Sequence, residues 1–166
     1  DTITLTSDFS SPTFTGADTT YDEPAFSVVN STGAEVSHTW TLNVTDFQNS
    51  TDTSSKTIRW VYPFFYGEDA SDLSGGTGIE SLTKNVSRKG DKTFGINATN
   101  EFIYFAYPAS YGDLSTILDG NGFNVTSSFT KYTANVTPPL SGVARSYNIY
   151  KSNSVTTINQ NFQFKF

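Results

Sequence analysis

Apolar and polar residues alternate along most of this chain. In "HTWTLNVT", residues 38–45, Trp40, Leu42 and Val44 fall on one face and Thr39, Thr41, Asn43 and Thr45 on the other. "TIRWVY" sends Ile58, Trp60 and Tyr62 one way. The closing "NFQFKF" puts Phe162, Phe164 and Phe166 inward, with Gln163 and Lys165 outward. Successive side chains on a strand point to opposite faces, so a period of two predicts half-buried strands. Further strands are predicted at 2–6, 25–29, 79–87, 93–98, 101–107, 123–129, 132–137 and 145–151. Turn signals separate them: "STG" from Ser31, "SGGTG" from Ser74, "KGD" from Lys89, "DGNG" from Asp119 and "PPLSG" from Pro138. No segment sustains a 3.6-residue apolar stripe. One helical turn is predicted at "GDLSTIL", with Asp113 as its N-cap. The pattern predicts an all-β fold: an antiparallel β-sandwich of Ig-like type, or two small β-units side by side.

One phrase is written twice. "IRWVYPFFYGED" starts at Ile58 and "IYFAYPASYGDL" at Ile103. Ile58/Ile103, Trp60/Phe105, Tyr62/Tyr107, Pro63/Pro108, Tyr66/Tyr111, Gly67/Gly112 and Glu68/Asp113 coincide without a gap. Proline cannot donate to a strand ladder, and glycine allows backbone turns that other residues resist. A duplicated strand-exit corner is therefore expected, made by Tyr62, Pro63 and Gly67 and again by Tyr107, Pro108 and Gly112. A repeated ligand site and a coincidence of aromatic-rich composition are the other readings. Phe64, Phe65, Tyr66 and Tyr111 stand near these turns as candidate ligand or interface aromatics, because ring faces meet the C–H faces of sugars well.

Composition narrows the function. The chain has 166 residues, of which 36% are hydrophobic and 15% aromatic, so much of the core must be Phe, Tyr and Trp. A net charge of −6 leaves no basic surplus to neutralise phosphates and argues against nucleic acid. "SRKGDK", residues 87–92, reads as a solvated turn. No apolar run is long enough to span a bilayer, so membrane insertion is not expected. Cysteine is absent, which excludes disulfides and thiolate metal sites. A chain that opens at Asp1 without Met reads as a processed product or part of something longer.

Candidate chemistry is sparse. His38, the one histidine, shares the Trp40 side of an alternating strand and reads as structural. Glycoside hydrolysis needs two carboxylates, and Asp22, Glu23, Glu68, Asp69, Asp72 and Asp113 are available. All lie in or beside turns, where acids cap backbone. "LDGNGFN", residues 118–124, has part of a calcium-loop pattern, but Phe123 takes a ligand position and a tight Asn-Gly turn is the simpler reading. No catalytic residue, cofactor or metal is expected. Sequons at Asn30, Asn43, Asn49, Asn85, Asn97, Asn124 and Asn135 follow from the abundance of Ser and Thr and from strand alternation.

From Glu101, the run "EFIYFAYPASYGDLSTILDGNGFNVTSSFTKYTANVT", then "SYNIYKSN" and "NFQFKF", resembles a β-rich module of tailed-bacteriophage virion proteins. The upstream "KTIRWVYPFFYG" and "SLTKNVSRKGDKTFGI" are similar to the region before it in that family, so the resemblance covers 56–166. Residues 1–55 read as a separate set of Ig-like strands. The resemblance implies a non-enzymatic structural or adhesive part of a virion, in a tail fibre, baseplate, neck or capsid decoration. Other virion proteins, copies of the chain in a trimer and a host-surface glycan are the partners it implies. A secreted carbohydrate-binding module is the alternative, with a carboxylate-pair glycosidase behind it.

Overall fold

The computed structural model describes residues 2–6, 13–15, 36–46, 48–139 and 142–166. The strand predicted at 25–29, the turn at Ser31 and the acids Asp22 and Glu23 lie outside the described residues. The fold is all-β and antiparallel, and the chain divides into two compact units.

The first unit holds β1 (Thr2–Thr6), β2 (Thr13–Thr15), β3 (Val36–Thr45) and β4 (Thr51–Trp60) in the order β2-β1-β3-β4. β3 and β4 pair without slippage from Val36↔Trp60 to Thr45↔Thr51. The Asp46 carboxylate accepts the amides of Gln48 and Ser50, and Asn49 takes a φ of 62°, a left-handed conformation that Asn tolerates. "TDTSSK" carries no apolar alternation, and residues 51–57 of β4 are exposed on both faces. Threonine propensity and cross-strand polar contacts make it a strand, among them Thr53 Oγ1 donating to Asn43 Oδ1 at 2.8 Å. Because β4 stays paired to its end, the first unit runs to Trp60, beyond the expected break at 55/56.

The second unit holds β5 (Phe64–Asp69), β6 (Thr83–Asn85), β7 (Lys92–Pro108), β8 (Thr116–Leu118), β9 (Phe129–Val136), β10 (Arg145–Ser152) and β11 (Thr156–Lys165). One sheet runs β6-β5-β7-β10-β9, and β11 pairs with β7 and β8. β7 serves both layers: its first half pairs with β11, and its second half lies between β5 and β10. The strands predicted at 93–98 and 101–107 are therefore one. The break between them is a bulge at Asn100, which adopts a φ of 58° and gives its amide to Thr157 Oγ1. This bend turns β7 over and closes a sandwich-like pair of layers.

Two cores result. Between the layers pack Phe64, Phe94, Ile96, Phe105, Tyr107, Ile117, Tyr150, Phe162 and Phe164, with Phe105 and Phe164 stacked at 4.1 Å. On the outer face of the β5-β7-β10 sheet lie Phe65, Tyr104, Ala106, Tyr147 and Ile149. Leu73, Ile79 and Leu82 of the 70–82 segment cover this second face. The strand predicted at 79–87 is interrupted for that reason. Gly78, at φ 90°, starts a 3-10 turn over Ile79–Ser81 that lays Ile79 on the core, and only Thr83–Asn85 pairs.

Two other segments differ from expectation. "GDLSTIL" forms no helical turn: Thr116–Leu118 is β8, a short strand on β11 that buries Ile117 against Phe164. The strand predicted at 123–129 is a bridge at Asn124 followed by a 3-10 turn over Thr126–Ser128. No helix among the described residues is long and apolar enough to cross a membrane.

Candidate functional site

The two copies of the repeated phrase meet in space. β5 pairs antiparallel with the end of β7, in the register Phe65↔Ala106 and Tyr66↔Phe105. Phe64 of the first copy packs on Tyr107 and Tyr111 of the second, at 6.1 and 5.6 Å. Tyr147 of β10 stands opposite Pro108 and donates its hydroxyl to the Pro63 carbonyl at 3.0 Å. One side chain thus ties both prolines together.

The corner is not simply duplicated, however. Pro108 ends β7 and leads into a 3-10 turn over Ala109–Tyr111, with Gly112 at φ 82°. Pro63 instead precedes β5, and Gly67, at φ 144°, lies within that strand. The difference follows from the residues after proline. Phe64 and Phe65 each fill one of the two cores and hold the chain extended, whereas Ala109 and Ser110 have nothing large to bury. Tyr62 and Tyr107 are both buried. The Tyr62 hydroxyl accepts from Arg145 Nε at 3.2 Å, whereas the buried Tyr107 hydroxyl lies near Tyr150 and Asn148 without a well-formed hydrogen bond. Burial, then the neighbouring Tyr150, raises the Tyr107 pKa far above its ordinary value.

The four candidate ligand or interface aromatics do not form an exposed platform. Phe64 and Phe65 are fully buried and Tyr111 is 7% exposed. Tyr66 is half-buried, with its ring stacked 3.7 Å over Phe94. All four are core residues, because the strand that carries three of them is covered on both faces.

Most of the candidate acids among the described residues are engaged with backbone amides. Asp69 accepts the Ser71 amide and Asp72 the Ser74 amide; outside the candidates, Asp91 accepts the Phe166 amide and Glu101 the Thr99 amide. Hydrogen bonds from Ser74, ahead of Lys151, lower the Asp72 pKa to about 2. Asp113 takes Lys131 Nζ at 2.7 Å. Glu68 accepts the Asn97 amide, but partial burial, then the charge of Glu101, raises its pKa. His38 lies in β3 opposite Ile58. Among the described residues no three His, Cys, Asp or Glu side chains cluster as a metal site would require.

The structure brings together a different site. A groove of about 300 Å³ opens between the start of β11 and the segment 119–129. Ile103, Phe129, Ile158 and Phe162 form its apolar lining, and Asp119, Ser128, Ser154, Thr156 and Gln160 supply polar groups. This mixture is that of a small-molecule site, and the volume is at the small end of the usual range of roughly 300–1,000 Å³.

The walls are held from within. Asp119 Oδ1 accepts the amides of Asn121 and Phe123, so the "DGNG" segment is an acid-capped turn. Asn124 Oδ1 accepts the Thr126 amide, and Thr126 Oγ1 accepts the Ile117 amide at 2.8 Å. Asn153 bridges the other side, giving its backbone amide to the Ser128 carbonyl and its side-chain amide to the Ser127 carbonyl. The buried Ser152 hydroxyl accepts the Ile103 amide and donates to the Ser154 carbonyl. Phe129 is fixed edge-on by Phe162 and Phe164, at 6.1 and 6.4 Å. Phe123, 68% exposed, projects from the turn between the lining residues Asp119 and Val125.

Sequence reasoning missed Phe129 as a site residue because alternation assigned it to a strand. The usable signal was the Asp-Gly-Asn-Gly turn ahead of it, which sets Asp119 in the wall. Compared with known protein families, with curated proteins and with solved structures, the chain matches none of them.

Proposed function

We propose that this protein is a non-enzymatic β-module of a bacteriophage virion, acting by protein–protein contact and by attachment to the host surface. One observation carries the non-enzymatic part: the described acids of the second unit are mostly engaged as caps on backbone amides or in ion pairs. Such acids shape turns. The virion part rests on the resemblance over 56–166, and it is compatible with a densely aromatic core in a cysteine-free chain. A tail fibre, baseplate, neck or capsid decoration would use such a module, and trimers of the chain would suit a fibre. The groove favours a second reading, a secreted carbohydrate-binding module, in which the same surface works on a monomer.

The test is binding of the purified, labelled protein to bacterial cells and to a glycan array, with its mass in solution measured alongside. Saturable binding to cells by an oligomer supports the virion adhesin. Sugar binding by a monomer without cell binding supports the secreted module. Hydrolysis of any arrayed glycan would overturn the non-enzymatic reading.

A further inference from the structure

The groove beside β11 has the lining of a single-sugar site, and its charge selects among sugars. Phe129 and Ile158 offer an apolar surface to ring C–H groups, while Ser128, Ser154, Thr156 and Gln160 offer hydroxyl and amide partners around it. Asp119 is the one charged residue among the described residues that line it, and it can only accept hydrogen bonds when ionised. A carboxylate at the wall favours ligands rich in O–H donors and repels anions, and the chain's net charge of −6 acts in the same sense. Because the walls are fixed by the Asp119, Thr126, Ser152 and Asn153 hydrogen bonds, little ordering is needed on binding. Gly120 is part of this fit: a methyl there would come within 3.2 Å of Gln160 Oε1.

We propose that the groove between β11 and residues 119–129 binds one neutral pyranose ring and rejects acidic sugars, with Phe129 as its stacking surface and Asp119 as its hydroxyl acceptor. The inference rests on the attachment half of the function proposed above.

The experiment is an NMR titration of the intact protein with glucose, galactose and N-acetylglucosamine, and separately with glucuronate and sialic acid. The expected result is a saturable shift of the Asp119, Phe129, Ser154 and Gln160 amides by at least one neutral sugar. A dissociation constant on the order of 1 mM suits so small a ligand, and the acidic sugars should leave these amides unmoved. Phe129→Ala should weaken binding at least tenfold. Because Phe129 touches the core, Ser128→Trp, at an exposed position, serves as the second variant: it should fill the groove and abolish the shifts in a folded protein. No shift with any neutral sugar, equal shifts with acidic ones, or unchanged binding in folded Ser128→Trp would each overturn the proposal. Cell binding without these shifts would leave the attachment reading standing and remove the sugar site. Shifts without cell binding would do the reverse.

Discussion

β4 and β7 are both long, well-paired strands, yet they are held in place differently. Residues 51–57 of β4 are exposed on both faces, and its cross-strand side-chain hydrogen bonds join hydroxyl to hydroxyl, Thr39 to Thr57, and hydroxyl to amide, Thr53 to Asn43. Residues 103–108 of β7 are buried on both faces, with Ile103, Phe105 and Tyr107 in one core and Tyr104 and Ala106 in the other. Backbone pairing is common to the two strands. What separates them is neighbours: β7 has a strand on each side and covering layers above and below, while β4 is the edge among the described strands of its sheet. Pairing alone contributes modestly per bond, whereas a buried aromatic contributes several kcal/mol.

Truncation in the two strands should therefore differ most at their centres. Phe105→Ala is expected to cost the second unit about 3–5 kcal/mol. Both tryptophans, Trp40 and Trp60, belong to the first unit, and every tyrosine except Tyr21 belongs to the second. Urea unfolding followed by tyrosine near-ultraviolet dichroism should shift strongly, with tryptophan emission shifting little. Coincident shifts of both probes would mean the units unfold as one and would break the comparison.

Next comes the bend that gives β7 its two sets of neighbours. Asn100→Val forces a β-branched residue into the left-handed region and should cost roughly 1–3 kcal/mol, whereas Asn100→Gly should be close to neutral. If the valine variant matched the wild type in thermal midpoint, the bulge would not be what turns β7 between layers. A smaller loss is expected for Tyr147→Phe. It keeps the ring in the outer core but removes the hydrogen bond to the Pro63 carbonyl, for about 1 kcal/mol. On β4, Thr53→Ala should change stability by less than about 0.5 kcal/mol, as exposed substitutions usually do. A larger loss there, read by tryptophan emission, would show the polar ladder to be as important as the aromatic cores.

The contrast also explains what could be read in the sequence. Alternation located most of the strands, since it reports one buried face, and Phe162 and Phe164 fell where their period placed them. It failed where that premise failed. "TDTSSK" buries neither face and shows no period of two, whereas "IYFAYP", within the strand predicted at 101–107 and found in β7, buries both faces and hides which core each ring enters. "NATNEF" did signal a break, but a single left-handed Asn can serve a turn or a bulge, and only the pairing of β11 past it decides which. The repeated phrase was legible as a repeat and not as two conformations, because Phe64 and Phe65 act through partners far away in the chain. The groove was least legible: its lining comes from β7, the 119–129 segment, β10 and β11, and no local spacing joins them.

The smallest expected effect concerns charge at the margin of the second unit. Glu68, on β5 opposite Ile103, has a raised pKa because partial burial disfavours its carboxylate, with the charge of Glu101 adding to this and the Asn97 amide opposing it. A folded-state pKa above the ordinary 4.5 means the folded chain holds the proton more tightly than the unfolded one. Stability from this group is then complete below 4.5 and is lost as pH rises through the raised value, so at neutral pH the ionised Glu68 opposes folding. Glu68→Gln keeps the shape and the acceptor for Asn97 but removes the charge. Its thermal midpoint should exceed wild type slightly at pH 7, and the two should converge below 4.5, where wild-type Glu68 is protonated. Exposure keeps the effect small. A difference that persists unchanged in acid would come from packing, and crowding around β7 would then govern side-chain shape without reaching charge.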